Sequence, residues 1–414
     1  MLRPYSQPMF YPIKTAVGSS IKNMQKLDTR THFHIWCPEI FGFKGGIQVY
    51  SAFLLQALQS LNPDSQYDVF LKHDVQATPK IPFLPETRFH FAGASALKIR
   101  TPIFAAQIIS NGLQQHPDLI ITTHLNFTVA AYWLKRLVGI PYWTVAHGIE
   151  TWDIKNPTIK TALHHADLIL AVSSYTRDRL LKEQNLNPNK VTLLPNTFDQ
   201  NLFKFAPKPD YLLKQYRLKP EQPVILTVAR LTKSERYKGY DKILQVIPQF
   251  RDIIPDLHYI IVGKGDDIPR IEQLIAQLGL QDSVTLAGFI PDTQLCDYYN
   301  LCDVFAMPSK KEGFGIVYLE ALACGKPVLA GNKDGAIDAL CHGKLGALVN
   351  PDDVGEIAQT LIKILHFAYP NPLMYQPEAL RQKVIDTFGF KAFQQTLARH
   401  LDKHFQSIQP IEKN

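Results

Sequence analysis

The sequence predicts an α/β protein with two doubly wound, parallel-sheet domains. The first observation is a length of 414 residues, which is enough for two domains that each bury a core. The second is an alternation of short, nearly continuous apolar segments with longer segments of helical period, which is typical of parallel strands covered by helices on both faces. The third is a single interruption of this alternation near the middle of the chain, after which it starts again.

The first predicted domain covers residues 31–205 and opens with a strand, a glycine turn and a helix. The strand is HFHIWC at 32–37, the turn carries Gly45 and Gly46, and an amphipathic helix follows at 47–61. This order is typical of the start of a doubly wound domain. Further strands are predicted at 67–71, 88–93, 118–124, 142–147, 167–173 and 191–195, and helices at 103–115, 128–138 and 175–184.

The interruption is a proline-rich stretch that predicts an interdomain linker at 206–222, with a short helix in its middle. A second domain is predicted at 223–385, and a helical C-terminal segment at 386–414. The alternation of strands and helices in this half indicates a second parallel sheet. Its strands are predicted at 224–229, 258–263, 284–289, 303–307, 327–330 and 345–349, and helices at 240–250, 268–278, 292–302, 354–365 and 378–405.

The composition is that of an ordinary globular protein, with 46% hydrophobic and 20% charged residues. No apolar run reaches the roughly 18–20 residues that span a bilayer. Residues 1–30 are predicted to be a flexible extension and not a signal peptide, because Pro4, Pro8 and Pro12 interrupt the apolar core that such a peptide needs. Five cysteines without a Cys-x-x-Cys pair predict reduced thiols in a cytoplasmic protein, with neither a zinc site nor a disulfide framework.

The positive charge of the chain lies in its N-terminal half. Residues 1–205 contain 20 lysines and arginines against 13 aspartates and glutamates, so they carry the whole net charge of +7. A basic face there would suit anionic lipid head groups or an anionic acceptor, and simple solubility explains the same excess. Nucleic acid is not an expected partner, because no basic run is interleaved with aromatic residues.

The most informative stretch is PSKKEGFGIVYLEALACGKPVLA at 308–330, which predicts a loop, a helix and a strand. Apolar residues at three- and four-residue steps place the start of the helix near Gly315. Gly313 and Gly315 allow the backbone to approach a ligand closely, and the free N–H groups of the first helical turn attract an anion such as a diphosphate. The stretch therefore predicts an anion site at the start of this helix.

Two glutamates, Glu312 and Glu320, flank the predicted anion site eight residues apart. Both would repel a phosphate in direct contact. A carboxylate accepts two donors at once, so the pair suits a ligand that carries hydroxyl groups on either side of its phosphates. Glu312 would then hold a sugar and Glu320 a ribose. The alternative is a charged helix terminus followed by a solvated residue on the helix face.

Ten residues of this stretch form a longer pattern, with two glutamates, a glycine pair and the run Ala-x-Ala-x-Gly-x-Pro-Val. They are Glu312, Gly313, Phe314, Gly315, Glu320, Ala321, Ala323, Gly325, Pro327 and Val328. The pattern resembles the signature of the retaining, family-four nucleotide-sugar glycosyltransferases, which have the GT-B fold. The resemblance extends over about residues 32–400 and implies two Rossmann-like domains that face a central cleft. The donor would bind mainly to the second domain and the acceptor to the first, with the C-terminal helix crossing back to the first.

The resemblance also assigns residues after the first strand of the second domain. The family has Arg-Leu, a short spacer and Lys-Gly at this place, which Arg230 and Lys238 match, and both cations bind the donor diphosphate. Ala229 replaces the usual glycine, and the spacer carries the additional residues SER. Arg236 is a weaker competitor for the role of Lys238.

In the first domain the resemblance implies that Gly45 and Gly46 approach the donor phosphates and that His147 hydrogen-bonds the transferred sugar. A tight turn and a structural histidine are the alternatives. Phe289 and Ile290 match the loop whose backbone meets the nucleobase. The complete predicted donor-binding set is Gly45, Gly46, Arg230, Lys238, Phe289, Ile290, Glu312, Gly313, Phe314, Gly315, Ile316 and Glu320, and the predicted catalytic set is Glu312, His147, Arg230 and Lys238.

The implied reaction moves a hexose from a UDP-sugar or GDP-sugar to a hydroxyl group, with retention of the anomeric configuration. The acceptor would be a glycan, a glycolipid or a small molecule, and the protein would be cytoplasmic with contact to an anionic membrane. No cofactor and no metal ion are expected, because Arg230, Lys238 and the helix start would neutralise the diphosphate. The pair Asp266-Asp267 is interpreted as solvated. The alternatives are a nucleotide-sugar-binding scaffold without activity and another GT-B enzyme, such as an epimerase or a phosphorylase.

Overall fold

The computed structural model describes residues 30–42, 45–77, 83–250 and 252–408. For residues 407 and 408 it describes the backbone alone. The predicted extension at 1–30 therefore lies outside the described residues, apart from Arg30. Contacts between Cα atoms divide the chain into two compact units. Of the described residues, the C-terminal unit contains Phe198–Gly389, and the N-terminal unit contains those up to Thr197 together with Phe390–Ile408.

The N-terminal unit is built on a seven-stranded, all-parallel sheet with the strand order β3-β2-β1-β4-β5-β6-β7. Its strands are β1 His32–Cys37, β2 Gln66–Leu71, β3 Arg88–Phe91, β4 Leu119–Thr122, β5 Tyr142–Ala146, β6 Leu168–Ala171 and β7 Val191–Leu193. Its first five helices are α1 Gly46–Leu61, α2 Leu97–Gln115, α3 Thr128–Val138, α4 Pro157–His165 and α5 Ser174–Gln184.

The C-terminal unit has a six-stranded parallel sheet with the order β10-β9-β8-β11-β12-β13. Its strands are β8 Val224–Val228, β9 His258–Val262, β10 Val284–Gly288, β11 Val304–Met307, β12 Val328–Gly331 and β13 Ala347–Val349. Its helices are α6 Asp210–Tyr216, α7 Tyr240–Val246, α8 Ile268–Gln277, α9 Asp292–Leu301, α10 Ile316–Ala323, α11 Ala336–Ala339, α12 Val354–Leu365 and α13 Pro377–Phe388.

The last helix, α14 (Phe390–Ile408), belongs to the N-terminal unit and packs on α1. The rings of Phe390 and Phe393 lie 5.8 Å and 5.5 Å from those of Phe53 and Tyr50. A hydrogen bond of 2.9 Å joins His400 Nε2 to the carbonyl oxygen of Leu193. The aromatic face of α14 therefore covers one side of the N-terminal sheet.

The predicted fold class is confirmed, since each unit is a doubly wound parallel sheet. The strands are nearly continuous apolar runs because helices cover both faces of each sheet. In both sheets the chain reverses its direction of winding between two neighbouring central strands, β1 and β4 in one and β8 and β11 in the other. Loops that follow these strands lie at the carboxyl edge, where doubly wound folds bind their ligands.

Several elements differ from the sequence predictions. Helix α2 begins at Leu97, before its predicted start at residue 103, and Pro102 lies inside it. The helical tail predicted at 378–405 is two helices, because Gly389 leaves the helical conformation with φ −63° and ψ 163°. Helix α4 was not predicted as a separate element. The change of unit between Thr197 and Phe198 lies before the predicted domain end at residue 205.

Membrane-spanning helices were not expected from the hydropathy pattern. In the described ranges, no helix combines the length and the apolarity that crossing a bilayer requires.

Candidate functional site

The loop after β8 presents two cations of the predicted site, and a buried carboxylate holds it in place. Asp267 is fully buried and accepts hydrogen bonds from Arg236 (2.6 Å), Arg270 (2.6 Å) and the Tyr240 hydroxyl (2.8 Å). Burial alone would raise the pKa of Asp267, but these donors lower it to about 2. The interpretation of Asp266-Asp267 as a solvated pair is therefore wrong for Asp267.

The same contact decides the role of Arg236, the residue that competes with Lys238 in the sequence pattern. Two of its guanidinium nitrogens donate to Asp267 Oδ1, at 2.9 Å and 2.6 Å. Arg236 thus fixes the 3-10 turn Lys233–Lys238 to the base of α8. Of the three cations that the sequence pattern singles out in this loop, Arg230 and Lys238 are not bound to Asp267.

Arg230 and Lys238 share a glutamate from their own loop. Arg230 Nη2 lies 2.5 Å from Glu235 Oε1, and Lys238 Nζ lies 3.7 Å from Glu235 Oε2. The side chain of Glu235 is 10% exposed, and its Oε2 is buried without a hydrogen-bond partner. The side chain of Arg230 is 62% exposed, so its guanidinium can leave Glu235 for a ligand.

Lys238 also forms a short ion pair with Glu312, the first glutamate of the motif. The loop after β8 and the loop after β11 are joined by this contact. Arg230, Glu235, Lys238 and Glu312 therefore form a chain of alternating charges, which we call the charge row. Three of the four predicted catalytic residues lie in it.

A second buried carboxylate, Asp334, organises the loop that carries Glu312. It accepts hydrogen bonds from Ser309 Oγ (2.6 Å) and from the backbone N–H groups of Glu312 (2.8 Å) and Ala336 (3.0 Å). Burial raises the pKa of Asp334 to about 6. The Gly335 N–H donates to the carbonyl oxygen of Glu312 over 2.8 Å, which closes the loop from the other side.

Sequence reasoning did not single out Asp334 or Glu235. The signal for Asp334 was its place just after β12, where a polar residue at the carboxyl edge of a parallel strand faces the site region. The signal for Glu235 was its position between two cations in the spacer. Both carboxylates position other groups of the site.

The start of α10 requires a glycine. Gly315 has φ +87° and ψ 80°, and a β-carbon there would lie 2.4 Å from Cε2 of the Tyr318 ring. Tyr318 cannot move away easily, because its hydroxyl donates to the carbonyl oxygen of Met307 over 2.8 Å. No side chain of the described residues caps this helix, and the anion site predicted at its start stays a prediction.

The second glutamate of the motif, Glu320, lies within α10 and is only 9% exposed. Its Oε2 accepts a hydrogen bond of 2.7 Å from the buried hydroxyl of Tyr299 on α9. This bond fixes the orientation of the carboxylate. The assignment of Glu320 to a ribose hydroxyl stays a prediction.

The remaining predicted donor residues of the C-terminal unit differ in exposure. Phe314 is 1% exposed and packs its ring 5.5 Å from that of Phe388, so it anchors the loop from the core side. Phe289 is 49% exposed and lies 4.7 Å beneath Lys264 Nζ, an arrangement open to a planar ligand. Ile290 and Ile316 are partly exposed.

The predicted residues of the N-terminal unit follow β1 and β5. Gly45 is extended, with φ −144° and ψ 174°, and α1 begins at Gly46 without a side-chain cap. His147 follows β5, and its ring lies 4.9 Å from that of Tyr50. The His147 N–H donates to Glu150 Oε1 over 2.7 Å, which fixes the start of the following turn.

The protonation of His147 follows from its contacts. Its Nε2 lies 3.1 Å from the carbonyl oxygen of Thr123, which can only accept, so Nε2 carries the proton. Burial lowers the pKa of His147 to about 3, and the imidazole is neutral near pH 7. Its Nδ1 is thus the ring atom that can accept a hydrogen bond from a hydroxyl group.

Two family models match the two halves of the chain. The model described as Glycosyltransferase Family 4 matches residues 44–202, and the model described as Glycosyl transferases group 1 matches residues 211–374. Together they contain the charge row, both motif glutamates, the glycine pair and His147.

Two curated relatives illustrate the similarity. A GDP-mannose-dependent alpha-(1-6)-phosphatidylinositol monomannoside mannosyltransferase of Mycolicibacterium smegmatis is 34% identical over 234 residues, which are 53% of this chain and 59% of the relative. A 2-deoxystreptamine glucosyltransferase of Streptomyces kanamyceticus is 28% identical over 67% of this chain and 73% of its own. The chain thus spans 59% of the length of the first of these relatives.

Solved structures show the same fold over most of the chain. Sucrose-phosphate synthase from Thermosynechococcus elongatus superposes with a TM-score of 0.74 and 22% identity, covering 91% of this chain and 100% of its own. Anabaena HepE in complex with UDP gives a TM-score of 0.71 and 20% identity, covering 90% of this chain and 100% of its own. At these identities the likeness establishes the architecture, two Rossmann-like domains of the GT-B type.

Proposed function

Since the chain belongs to the family-four glycosyltransferases, we propose that it transfers a hexose from a nucleoside-diphosphate sugar to a hydroxyl group of an acceptor. The observation that carries the proposal is the charge row beside the uncapped start of α10. Two cations and a helix N-terminus suit a diphosphate, and two carboxylates suit the hydroxyl groups on either side of it. A single ligand that has both kinds of group is a nucleotide sugar.

The role of each group follows from where charge develops. As the bond between the sugar and the diphosphate breaks, negative charge accumulates on the leaving phosphate oxygens. Arg230, Lys238 and the first N–H groups of α10 stabilise this charge, and the reaction as proposed needs no metal ion. Arg230 would leave Glu235 to contact the phosphates, while Lys238 lies between the phosphates and Glu312.

We assign retention of the anomeric configuration to attack by the acceptor on the face that the leaving group occupies. The acceptor oxygen forms the new bond to the anomeric carbon, and its proton passes to the departing phosphate oxygen. Glu312, which is ion-paired with Lys238, orients the sugar and forms no covalent bond. Nδ1 of the neutral His147 accepts a hydrogen bond from a sugar hydroxyl.

The proposed donor is GDP-mannose, which appears in the name of the mannosyltransferase that is 34% identical to this chain. The backbone beside Phe289 and Ile290 would contact the guanine, and Glu320, oriented by Tyr299, the ribose. The competing donors are UDP-sugars, since HepE superposes on this chain in its UDP complex.

The proposed acceptor is a glycolipid at a membrane surface. The relative from Mycolicibacterium smegmatis is named for a phosphatidylinositol mannoside, and the excess charge of +7 lies in residues 1–205. On α3, Trp133 is 54% and Leu137 is 66% exposed, and Arg136 lies exposed between them. Aromatic, apolar and basic side chains side by side suit the interface of an anionic bilayer.

The proposal is tested by thermal-shift measurements with GDP, UDP, ADP and their sugars, on the wild type and Glu320→Ala side by side. A ligand that binds the native state raises its apparent stability. We expect GDP-mannose to stabilise the wild type and the shift to be lost in Glu320→Ala. If no nucleotide sugar shifts the wild type, the proposed function is wrong. A shift without transfer to any glycolipid, glycan or small-molecule acceptor would support the scaffold alternative.

Product analysis tests the finer assignments. With a productive donor and acceptor, nuclear magnetic resonance of the product should show the anomeric configuration of the donor, and a chelator should leave the rate unchanged. Binding to vesicles that contain anionic lipid should decrease as salt is added, because screening weakens the contact of the basic unit with the head groups. Absence of binding at low salt would remove the membrane assignment alone.

A further inference from the structure

A cluster of histidines surrounds a buried aspartate at the amino-terminal ends of the first three strands of the N-terminal unit. His32 and His34 lie two residues apart on β1, so their side chains point to the same face of the sheet. Asp68 on β2 is paired in register with His34, and with Arg88 on β3. His90 follows Arg88 by two residues on the same face. The predicted glycosyltransferase residues of this unit follow the opposite, carboxyl ends of the strands.

Asp68 is the centre of the cluster and is fully buried. Its carboxylate lies 2.7 Å from His32 Nε2, 2.6 Å from His90 Nε2 and 2.5 Å from Arg88 Nη2, and it also accepts from Arg88 Nε over 3.1 Å. These three side chains together contact both oxygens of the carboxylate, with His32 and Arg88 at Oδ2 and His90 at Oδ1.

His34 supplies the second observation, a buried nitrogen without a partner. Its ring is fully buried, and Nε2 lies 2.9 Å from Gln115 Oε1. The amide nitrogen of Gln115 donates to Asn111 Oδ1 over 2.7 Å, so the oxygen of Gln115 faces His34 and Nε2 carries the proton. Nδ1 then holds a lone pair, and this atom is buried without a hydrogen-bond partner among the residues that the structure describes.

An imidazole oriented by a second residue, with a bare lone pair on its other nitrogen, is the usual state of a metal-binding histidine. An unpaired polar atom in a protein interior is otherwise costly, by about 1–3 kcal/mol. Ligand atoms of His32, His34 and Asp68 lie within 4.8 Å of one another. Two imidazoles and a carboxylate are a ligand set that zinc and neighbouring transition metals accept.

We propose that His32, His34 and Asp68 form a binding site for a divalent transition-metal ion of the zinc class. Metal–ligand bonds of about 2.0–2.1 Å in a tetrahedral site place ligand atoms about 3.3 Å apart. The side chains must therefore close by up to about 1.5 Å from their separation of 4.8 Å, which small rotations about χ1 and χ2 supply. His90 or a water molecule would fill the fourth position.

Arg88 is the competitor of the metal ion. Its guanidinium occupies the carboxylate of Asp68, and its side chain is 54% exposed, so it can withdraw to solvent when a metal ion enters. His32 is 13% and His90 is 28% exposed, which leaves an entry path from the sheet edge. The bound ion would join β1 to β2, and through His90 also β3, and would stabilise the unit without entering the transfer reaction.

The test uses the full chain, treated with a chelator and then titrated with Co²⁺ and Zn²⁺. We expect one Co²⁺ per chain, with the visible absorption bands of a tetrahedral site, a dissociation constant in the low micromolar range or below, and a rise in melting temperature with Zn²⁺. This measurement on the wild type does not depend on the folding of any variant. Failure to bind one ion per chain below about 100 μM would overturn the proposal.

Matched variants separate the site from adventitious binding to the other histidines of the chain, which has 14. His32→Gln should weaken binding at least tenfold, while His116→Gln, which removes an exposed histidine at the end of α2, should leave it unchanged. Equal effects of the two substitutions would show adventitious binding and overturn the proposal. His32 is chosen because the fully buried His34 is more sensitive to replacement.

Arg88→Gln is expected to change metal affinity in the direction opposite to His32→Gln. Removing the competing guanidinium should tighten metal binding about tenfold, although it removes an ion pair of Asp68. If the cluster serves only as an ion pair, Arg88→Gln should destabilise the protein and metal affinity should not rise. That combination would contradict the proposal, even with a weak Co²⁺ signal in the wild type.

Discussion

Two helix starts of the molecule, those of α1 and α10, both follow a strand and a glycine but differ in how they are fixed. Gly45 before α1 is extended, a conformation that any residue adopts. Gly315 before α10 has φ +87° and its α-carbon faces the ring of Tyr318, so only glycine fits. The start of α10 is also flanked by the charge row, whereas His147, the predicted site histidine of the N-terminal unit, is neutral.

The two units also differ in the kind of group that each is predicted to present to a ligand. In the C-terminal unit the groups proposed to bind the ligand are charged, and two buried carboxylates, Asp267 and Asp334, hold the loops that carry them. In the N-terminal unit they are backbone groups and an uncharged imidazole, oriented by Thr123 and Glu150. Substitutions in the C-terminal unit should therefore change how well charge on the diphosphate is stabilised. Substitutions in the N-terminal unit should change the orientation of the bound ligand and the pH dependence of stability.

The largest expected effect is that of Lys238→Ala. Removing one of the cations proposed to stabilise the leaving diphosphate should lower kcat/KM by about 10²–10³-fold. It also leaves Glu312 and Glu235 without their shared partner, which repels the donor further. Steady-state kinetics with the productive donor measure the loss.

Lys333→Ala is the matched control for Lys238→Ala, because Lys333 pairs with the exposed Asp352, 2.8 Å away. It should change kcat/KM less than twofold, as exposed pairs contribute little. If both lysine variants lose activity equally, the charge row is not the basis of the reaction.

The comparison of the two helix starts predicts the next effect. Gly315→Ala should lower the free energy of unfolding by about 2–4 kcal/mol, because the positive φ and the contact of 2.4 Å with Tyr318 add together. Gly343→Ala is the control for the dihedral angle alone, since Gly343 has φ +86° and no atom lies closer than 3.8 Å to an added β-carbon. We expect about 1 kcal/mol there. Denaturant unfolding measures both.

Gly45→Ala extends this comparison to the other unit. Because Gly45 is extended, alanine should leave the free energy of unfolding within about 0.5 kcal/mol of the wild type. A loss as large as that of Gly315→Ala would show that the two helix starts are equally constrained, against the comparison made above.

The pH dependence of stability is predicted for His147. Its pKa is lowered from 6.5 to about 3 in the folded state, so the unfolded chain binds the proton more readily. This contribution is fully present above pH 6.5 and is lost as the pH falls toward 3. Between pH 7 and pH 5 the wild type should lose roughly 2 kcal/mol of its free energy of unfolding because of this histidine.

The variant His147→Gln isolates that contribution. It should lose about 2 kcal/mol less stability than the wild type between pH 7 and pH 5, measured by urea unfolding at each pH. His164→Gln, which replaces an exposed histidine at the end of α4, should follow the wild-type curve. Parallel curves for wild type and His147→Gln would mean that His147 is not held neutral.

The smallest effect is expected at the buried partner of Glu320. Tyr299→Phe removes the hydroxyl that donates to Glu320 Oε2 over 2.7 Å. The carboxylate loses its fixed orientation, and affinity for the donor should fall about three- to tenfold while kcat changes little. Calorimetric titration with the donor measures this. Tyr298→Phe, whose hydroxyl lies 2.6 Å from that of Tyr216, should leave donor affinity unchanged.

Most of the architecture followed from the sequence because it depends on local pattern. Apolar runs gave the strands, and β1 (His32–Cys37), α3 (Thr128–Val138) and α12 (Val354–Leu365) have the predicted bounds. The motif glycines were recognised as a helix start for the same reason. Helix α2 begins six residues before its predicted start at 103, and it contains Pro102, a residue that local propensity disfavours inside a helix.

The partners of the site residues did not follow from the sequence, because they are far apart along it. Lys238 and Glu312 are 74 positions apart and meet only when β8 and β11 pair in the sheet. Asp267 resembles a solvated residue in the sequence, and only the fold brings Arg236 to it across 31 positions. The side chain of Phe314, which belongs to the motif, lies against Phe388 in the core, a contact that no spacing rule indicates.

The charge row has one further consequence, for competition among the anions of a cell. Arg230 and Lys238 are matched one to one by Glu235 and Glu312, so the site carries its own counter-ions. A small anion such as inorganic phosphate would have to displace a carboxylate that is already paired with a cation, and it has no set of sugar hydroxyl groups to replace that pairing. A nucleotide sugar, as proposed, would contact Glu312 through its hydroxyl groups while its phosphates contact the cations. We therefore expect the balanced charge to disfavour free phosphate relative to a nucleotide sugar.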